Sequence, residues 1–282
     1  MKHSEATFQG SGGAALFCQS WLPDGDPRAL LVIVHGQGDH SSRFGRLVEP
    51  LVAGGFGVYG FDQRGFGRSP GRKGHIDRWV EYEEDVRAFL EFVQSRQPGK
   101  QVFLYGYSLG SLVVLNYVLE RPGGLSGAIL SSLPVQMGQL ASPLRVLAAR
   151  VFSRLWPTFT LNLDDDFSGV SRDVTVREAL RQDPLHHGWV TARWGTEFLS
   201  AIERVARRAG DICLPVLFLH GSDDPAALLS GVERYFTQVT YPEKTLKIYS
   251  GCKHEIHNDL DHARVAADVM EWMSGYLAQT SQ

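Results

Sequence analysis

Short, unbroken apolar runs recur along this chain and alternate with longer segments of helical period, a pattern that specifies a parallel sheet covered by helices on both faces. The runs are Ala29 to His35, Gly57 to Asp62, Gln101 to Tyr107, Gly127 to Ser131, Leu214 to His220 and Thr245 to Tyr249. Between or after them, Trp79 to Gln97 collects Val86, Phe89, Leu90 and Val93 on one face, and Ala263 to Ala278 collects Val265, Val269, Met270, Met273 and Leu277. Phe8 to Trp21, with turn residues at Gly10 to Gly13, reads as an antiparallel hairpin on the sheet edge.

One stretch interrupts the alternation. From about Pro134 to Ala209 no strand pattern stands out, while Leu144, Leu147, Ala148, Val151, Phe152 and Leu155 fall at helical spacing. The 282 residues therefore divide into a core, residues 1–133 and 210–282, and an inserted helical cap, residues 134–209. The apolar face of this insert either packs on the core or forms a lid over a pocket, with Arg145, Arg150 and Arg154 directed at lipid headgroups. Asp164 to Asp166 reads as a solvated loop, since no other ligand cluster is spaced to join it around a metal.

Gly106-Tyr107-Ser108-Leu109-Gly110 matches Gly-x-Ser-x-Gly, and so does Gly67-Arg68-Ser69-Pro70-Gly71, so context must separate them. A nucleophilic serine of this kind sits on a tight turn between strand and helix, and the next residue's N–H helps to hold an oxyanion. Pro70 has no N–H, and Ser69 lacks a flanking strand. Ser108 follows the apolar run 102–105, precedes a Leu- and Val-rich helical stretch, and is succeeded by Leu109 with a free N–H.

A serine hydroxyl needs a base, and the base needs an orienting acid. Both are expected after later strands, in the order Ser, Asp, His. Asp224 and His254 meet that expectation, each with a close rival, Asp223 and His257. The second oxyanion donor is expected in His35-Gly36-Gln37-Gly38-Asp39, where Gly36 permits a sharp turn and the Gln37 N–H joins that of Leu109. His35 is expected to brace that loop by hydrogen bonding. His254-Glu255-Ile256-His257 is not a zinc signature, because its histidines are three apart and follow a strand.

Composition narrows the partners. With 28 Lys+Arg against 31 Asp+Glu, no excess of cations is available for a phosphate backbone, which argues against nucleic acid. Cys18, Cys213 and Cys252 are too scattered for a disulfide framework and are expected to be reduced thiols. Met1 to Gly10 lacks the apolar stretch of a secretory signal, and the window 101–119 is too broken by Gly, Ser and Asn for a membrane span, so a cytoplasmic protein is expected.

Longer motifs add a resemblance. His35 to Phe44, Asp62-Gln63-Arg64-Gly65-Phe66-Gly67-Arg68-Ser69, the segment around Ser108, Asp183-Pro184-Leu185 with Ala192-Arg193-Trp194, and Lys244 to His257 together resemble the monoacylglycerol lipase and lysophospholipase-like α/β-hydrolases over nearly the whole chain. The resemblance implies an α/β-hydrolase fold: a mostly parallel eight-stranded sheet with helices on both faces and an inserted helical cap. It implies the catalytic residues Ser108, Asp224 and His254, oxyanion amides from Gln37 and Leu109, and glycerol contacts from Asp39, Arg43 and His257, which makes His257 a substrate group rather than the base. Three positions depart from the family pattern: Tyr107 where His is frequent, Ser111 where Gly is frequent, and Asp39 where Glu is usual.

The expected activity is hydrolysis of a monoacylglycerol through an acyl-enzyme, with no cofactor and no metal, and with transient membrane-surface contact through the cap. General carboxylesterase or lysophospholipase activity stands beside it as the alternative. A ligand-binding fold without chemistry is the reading from a different class.

Overall fold

The computed structural model describes residues 1–136, 150–164 and 167–280. Eight strands form one sheet: β1 (Lys2–Gln9), β2 (Ala15–Leu22), β3 (Leu30–Val34), β4 (Gly57–Phe61), β5 (Val102–Tyr107), β6 (Gly127–Ser131), β9 (Val216–Gly221) and β10 (Lys244–Tyr249). Their spatial order is β1-β2-β4-β3-β5-β6-β9-β10. The pairs β1·β2 and β2·β4 are antiparallel, and every later pair is parallel. The edge hairpin is thus present but longer than its pattern: β1 begins at Lys2, because the exposed residues Lys2 to Glu5 of an edge strand carry no apolar signal.

The apolar runs are explained by burial on both faces. In β3, Leu30, Val32 and Val34 enter one core with Val86, Phe89 and Val93 of α2 (Val80–Arg96) and with α3 (Leu109–Glu120). Leu31 and Ile33 enter the other core, with Leu47 and Leu51 of α1 (Gly45–Ala53) and Val265 and Val269 of the C-terminal helix His262–Thr280. A strand whose alternate side chains are both buried cannot show polar alternation.

Between β6 and β9 the chain forms more than helices. Residues 150–155 are helical, followed by β7 (Thr160–Asn162), α4 (Val174–Gln182), β8 (Trp189–Thr191) and α5 (Ala192–Val205). β7 and β8 pair antiparallel in a separate two-stranded sheet, which corrects the expectation of a strandless insert. Three residues are too few to register a period. Val151 and Phe152 are about half exposed and Leu155 is 81% exposed, so this part of the helical face does not pack on the core. Leu144, Arg145, Leu147, Ala148, Asp165 and Asp166 lie outside the described residues. Asp164 is a loop brace: its carboxylate accepts from the N–H of Gly188 at 2.9 Å and meets His186 Nε2 at 3.0 Å.

Candidate active site

Ser108 sits between β5 and α3 with φ 51° and ψ −119°, in the left-handed region that an L-residue adopts only at a cost. The two flanking glycines make that turn possible. A Cβ on Gly106 would lie 2.5 Å from the Ser111 Cα, and one on Gly110 would collide with the carbonyl oxygens of Val34 and His35. Helix α3 therefore packs directly against the end of β3, and the Leu109 N–H opens the helix beside Ser108.

The segments after β9 and β10 bring the acid and the base to this point. His254 Nε2 lies 2.7 Å from Ser108 Oγ, and His254 Nδ1 lies 2.7 Å from Asp224 Oδ2. The other oxygen of Asp224 accepts from the N–H groups of Ala226 (2.8 Å) and Ala227 (3.0 Å). Burial opposes ionisation of Asp224, but His254 and these hydrogen bonds hold its carboxyl below the ordinary value. Burial also opposes charging of His254, yet the adjacent Asp224 raises its pKa above the ordinary imidazole value. Asp223, the rival acid, is exposed, and its carboxylate accepts from Ser222 Oγ at 2.7 Å.

Gln37 and Leu109 both line a cavity of about 680 Å³ that Ser108 and His254 also line. The loop carrying Gln37 lies against the serine turn, since a Cβ on Gly36 would meet Tyr107 Cε1 at 2.8 Å and Ser108 Cβ at 3.4 Å. His35 braces this loop. Its Nε2 accepts from the Gln63 N–H at 2.9 Å, and its Nδ1 donates to the Gly36 oxygen at 2.7 Å. The other Gly-x-Ser-x-Gly serine, Ser69, is also structural, donating to the Asp62 carbonyl at 2.5 Å and accepting from the Phe17 N–H at 2.9 Å.

The cavity has two chemistries. The inserted segment contributes mostly apolar lining, with Phe152, Phe159, Leu161, Phe167, Trp194 and Phe198, together with Asp164 and His186. Asp39, Arg43 and Glu255 of the core also line it. Arg43 Nη2 donates to both Glu255 oxygens, at 2.9 and 2.8 Å, while its Nε lies 3.3 Å from Asp39 Oδ1. Burial pushes Glu255 up to about 7, against the pull of Arg43 and with the help of Asp39. Burial also opposes an ionised Asp39, but Arg43 above all holds that carboxyl below its usual range.

His257 stays close to these residues, with its Nε2 3.7 Å from Glu255 Oε1, but does not reach the cavity. It is buried and lies on Phe44 with Tyr107 packed edge-on against it. The family resemblance implies a substrate contact for it together with Asp39 and Arg43. His257 lies in the short helical turn Ile256–Asn258, and it is Glu255, just before that turn, that lines the cavity. Glu255 sits between His254 and His257 in one segment, and no one-dimensional signal distinguishes which of its residues faces inward. The Asp183-Pro184-Leu185 motif acts as a tie between insert and core: Asp183 Oδ2 meets His40 Nε2 at 2.8 Å, and its Oδ1 accepts from the Leu185 N–H at 2.9 Å.

The sequence model of the family described as "Serine aminopeptidase, S33" matches residues 25–261. The chain belongs to this family. Among curated members, a monoacylglycerol lipase of Mycolicibacterium smegmatis is 32% identical over 276 residues, covering 97% of this chain and 98% of its own length. The monoglyceride lipase of Homo sapiens is 32% identical over 266 residues, covering 93% and 88%. Among solved structures, the monoacylglycerol lipase of Paleococcus ferrophilus superposes with a TM-score of 0.83 at 30% identity, covering 98% of this chain and all of that one. The fold is the α/β-hydrolase fold, and the protein is a carboxylic ester hydrolase of the serine-hydrolase type. Among the described residues no helix is long and apolar enough to cross a membrane.

Proposed function

We propose that this chain hydrolyses monoacylglycerols to fatty acid and glycerol, with Ser108 as nucleophile. The observation that carries the proposal is the hydrogen-bonded line from Asp224 through His254 to Ser108, at the wall of a mostly apolar cavity. His254 accepts the Ser108 proton as Oγ attacks the ester carbonyl, and Asp224 holds the imidazole tautomer and stabilises the imidazolium. The Gln37 and Leu109 amides hold the oxyanion. His254 then protonates the leaving glycerol oxygen, and a water repeats the sequence to release the acid.

The cavity volume falls in the range of small-molecule sites, and the apolar wall suits an acyl chain. Asp39, Arg43 and Glu255 give that lining a polar part. The relatives named as monoacylglycerol lipases support this substrate assignment. In this account residues 134–209 act as a cap over a core formed by 1–133 and 210–282. Val151, Leu155, Trp156, Leu161 and Leu163 present exposed apolar surface beside the cavity, which suits transient contact with a lipid surface.

Turnover of one acyl group presented as glyceryl ester, lysophospholipid, short-chain ester and amino-acid amide tests the assignment. The glyceryl ester is expected to give the highest kcat/KM, and a preference for short soluble esters or for amides would refute it. Ser108→Ala is expected to lose at least about a hundredfold in kcat, together with fluorophosphonate labelling. Leu155→Asp is expected to weaken cosedimentation with phospholipid vesicles; unchanged cosedimentation would remove the membrane contact.

A further inference from the structure

The turn that carries the catalytic base is held on one side by the insert. The His254 N–H donates to the Gly169 carbonyl oxygen at 3.3 Å, and the Glu255 N–H donates to that of Val170 at 2.8 Å. Lys253 Nζ donates to the Ser168 carbonyl oxygen. Beside these bonds lies Asp259, whose side chain is wholly buried. Its Oδ2 accepts from the Lys253 N–H at 2.9 Å, one residue before the base. Its Oδ1 accepts from Arg172 Nε at 3.0 Å, the Arg172 N–H at 3.2 Å and the Leu260 N–H at 2.7 Å. Arg172 Nη2 also meets Cys252 Sγ at 3.0 Å and pairs with Asp261. One buried carboxylate thus joins residues 168–173 of the insert to 252–260 of the core. A buried ion pair with every acceptor used fixes geometry even where it adds little net stability.

We propose that Asp259 and Arg172 are positioning residues for His254, and that through them the insert is part of the catalytic frame as well as the cavity wall. The inference rests on His254 being the base. His254 has to keep two ring contacts at once, 2.7 Å to Ser108 Oγ and 2.7 Å to Asp224 Oδ2. Its carbonyl oxygen is fixed from the core by Ser132, so the other side of its backbone is set by Gly169 and by the Lys253 peptide that Asp259 holds. Lifting residues 168–173 from the core would withdraw the acceptors of the His254 and Glu255 amides together. A displacement of about 1 Å at such a site costs about 10² in rate. Neither Asp259 nor Arg172 lines the cavity, so their effect is expected on turnover and not on substrate binding.

The test uses the full chain and a 4-nitrophenyl acyl ester, so that its outcome does not depend on the natural leaving group. Asp259→Asn keeps the volume but offers one acceptor where two are used, and is expected to lower kcat at least about tenfold with KM within about twofold of wild type. Arg172→Ala is expected to show the same split, and Arg172→Lys, which keeps a donor toward Asp259, to recover part of the loss. In a His254→Ala background, where no base remains to be placed, Asp259→Asn is expected to change the residual kcat by less than about twofold. Glu197→Ala removes a different tie between insert and core, the bond from the Trp79 N–H at 2.8 Å, and is expected to lower the melting temperature with kcat unchanged. The inference is overturned by an unchanged kcat in D259N and R172A, by no recovery in R172K, by the same proportional loss with and without His254, or by an equal loss of kcat in E197A. If D259N is recovered unfolded, R172A, at a partly exposed position, is carried through the same comparisons and decides by the same outcomes. A His254→Ala enzyme that keeps the wild-type kcat refutes the base assignment, and the inference with it.

Discussion

The imidazole of His257 lies flat against the ring of Phe44, with centroids 4.5 Å apart and planes 3° from parallel. Neither ring nitrogen has a hydrogen-bond partner among the described residues, and burial lowers its pKa to about 3. It is therefore a neutral core aromatic. In the unfolded chain its pKa returns to about 6.5, so the unfolded state takes up the proton first as pH falls. Its contribution to stability is complete above about pH 6.5 and declines by about 1.4 kcal/mol per pH unit toward pH 3. His257→Phe, which keeps the stack, is expected to flatten this acid limb in urea titrations from pH 7 to 4. An unchanged slope would contradict the buried neutral assignment.

The pH dependence of turnover follows from His254, which must be neutral to accept the Ser108 proton. Asp224 raises its pKa, so the acidic limb of kcat/KM is expected above pH 6.5, with activity falling about tenfold per unit below it. Asp224→Asn removes the cause of the shift. The residual activity is expected to be lower by about 10⁴, as for the equivalent change in serine-protease triads, with the limb displaced to lower pH. A limb that stays in place would show that Asp224 does not set the His254 pKa.

Gly110 has no room for a side chain. Gly110→Ala would drive a methyl group into the Val34 and His35 carbonyl oxygens at the crossing of α3 and β3. Overpacking of this kind costs about 1–3 kcal/mol or more, and the turn at Ser108 would shift with it. Both a lower melting temperature and loss of fluorophosphonate labelling are expected. Retention of both would mean that the helix can move away without disturbing the serine.

Ser132 follows β6 with φ 51°, and its hydroxyl donates to the His254 carbonyl oxygen at 2.5 Å. It holds the base's backbone while paying a conformational penalty. Ser132→Ala keeps the strain and loses the bond, whereas Ser132→Gly loses both. The glycine variant is accordingly expected to be the more stable of the two by about 1 kcal/mol in denaturant unfolding, with kcat reduced in each. Equal stability would show that the left-handed backbone at this position is unstrained.

The legible parts of this protein were those encoded locally. Runs such as Leu30 to Val34 and Gly127 to Ser131 marked the central strands, because burial on both faces writes an unbroken apolar string. The Ser108 turn could be told from Ser69 by a missing amide at Pro70 and an absent flanking strand. Short pieces left no such trace. The strands Thr160–Asn162 and Trp189–Thr191 are below any period, and α1 carries Pro50 within its nine residues.

The sequence by itself determined the sheet, the order Ser108, Asp224, His254, and the turn that makes Ser108 exceptional, since each depends on neighbouring residues and on periodic burial. Only the tertiary structure decided which side chains form the polar part of the cavity lining. Glu255 and His257 are two residues apart, yet one faces the cavity with Arg43 and the other stacks on Phe44. That choice depends on how one short helical turn packs against an aromatic cluster built from distant segments, and no local pattern encodes it.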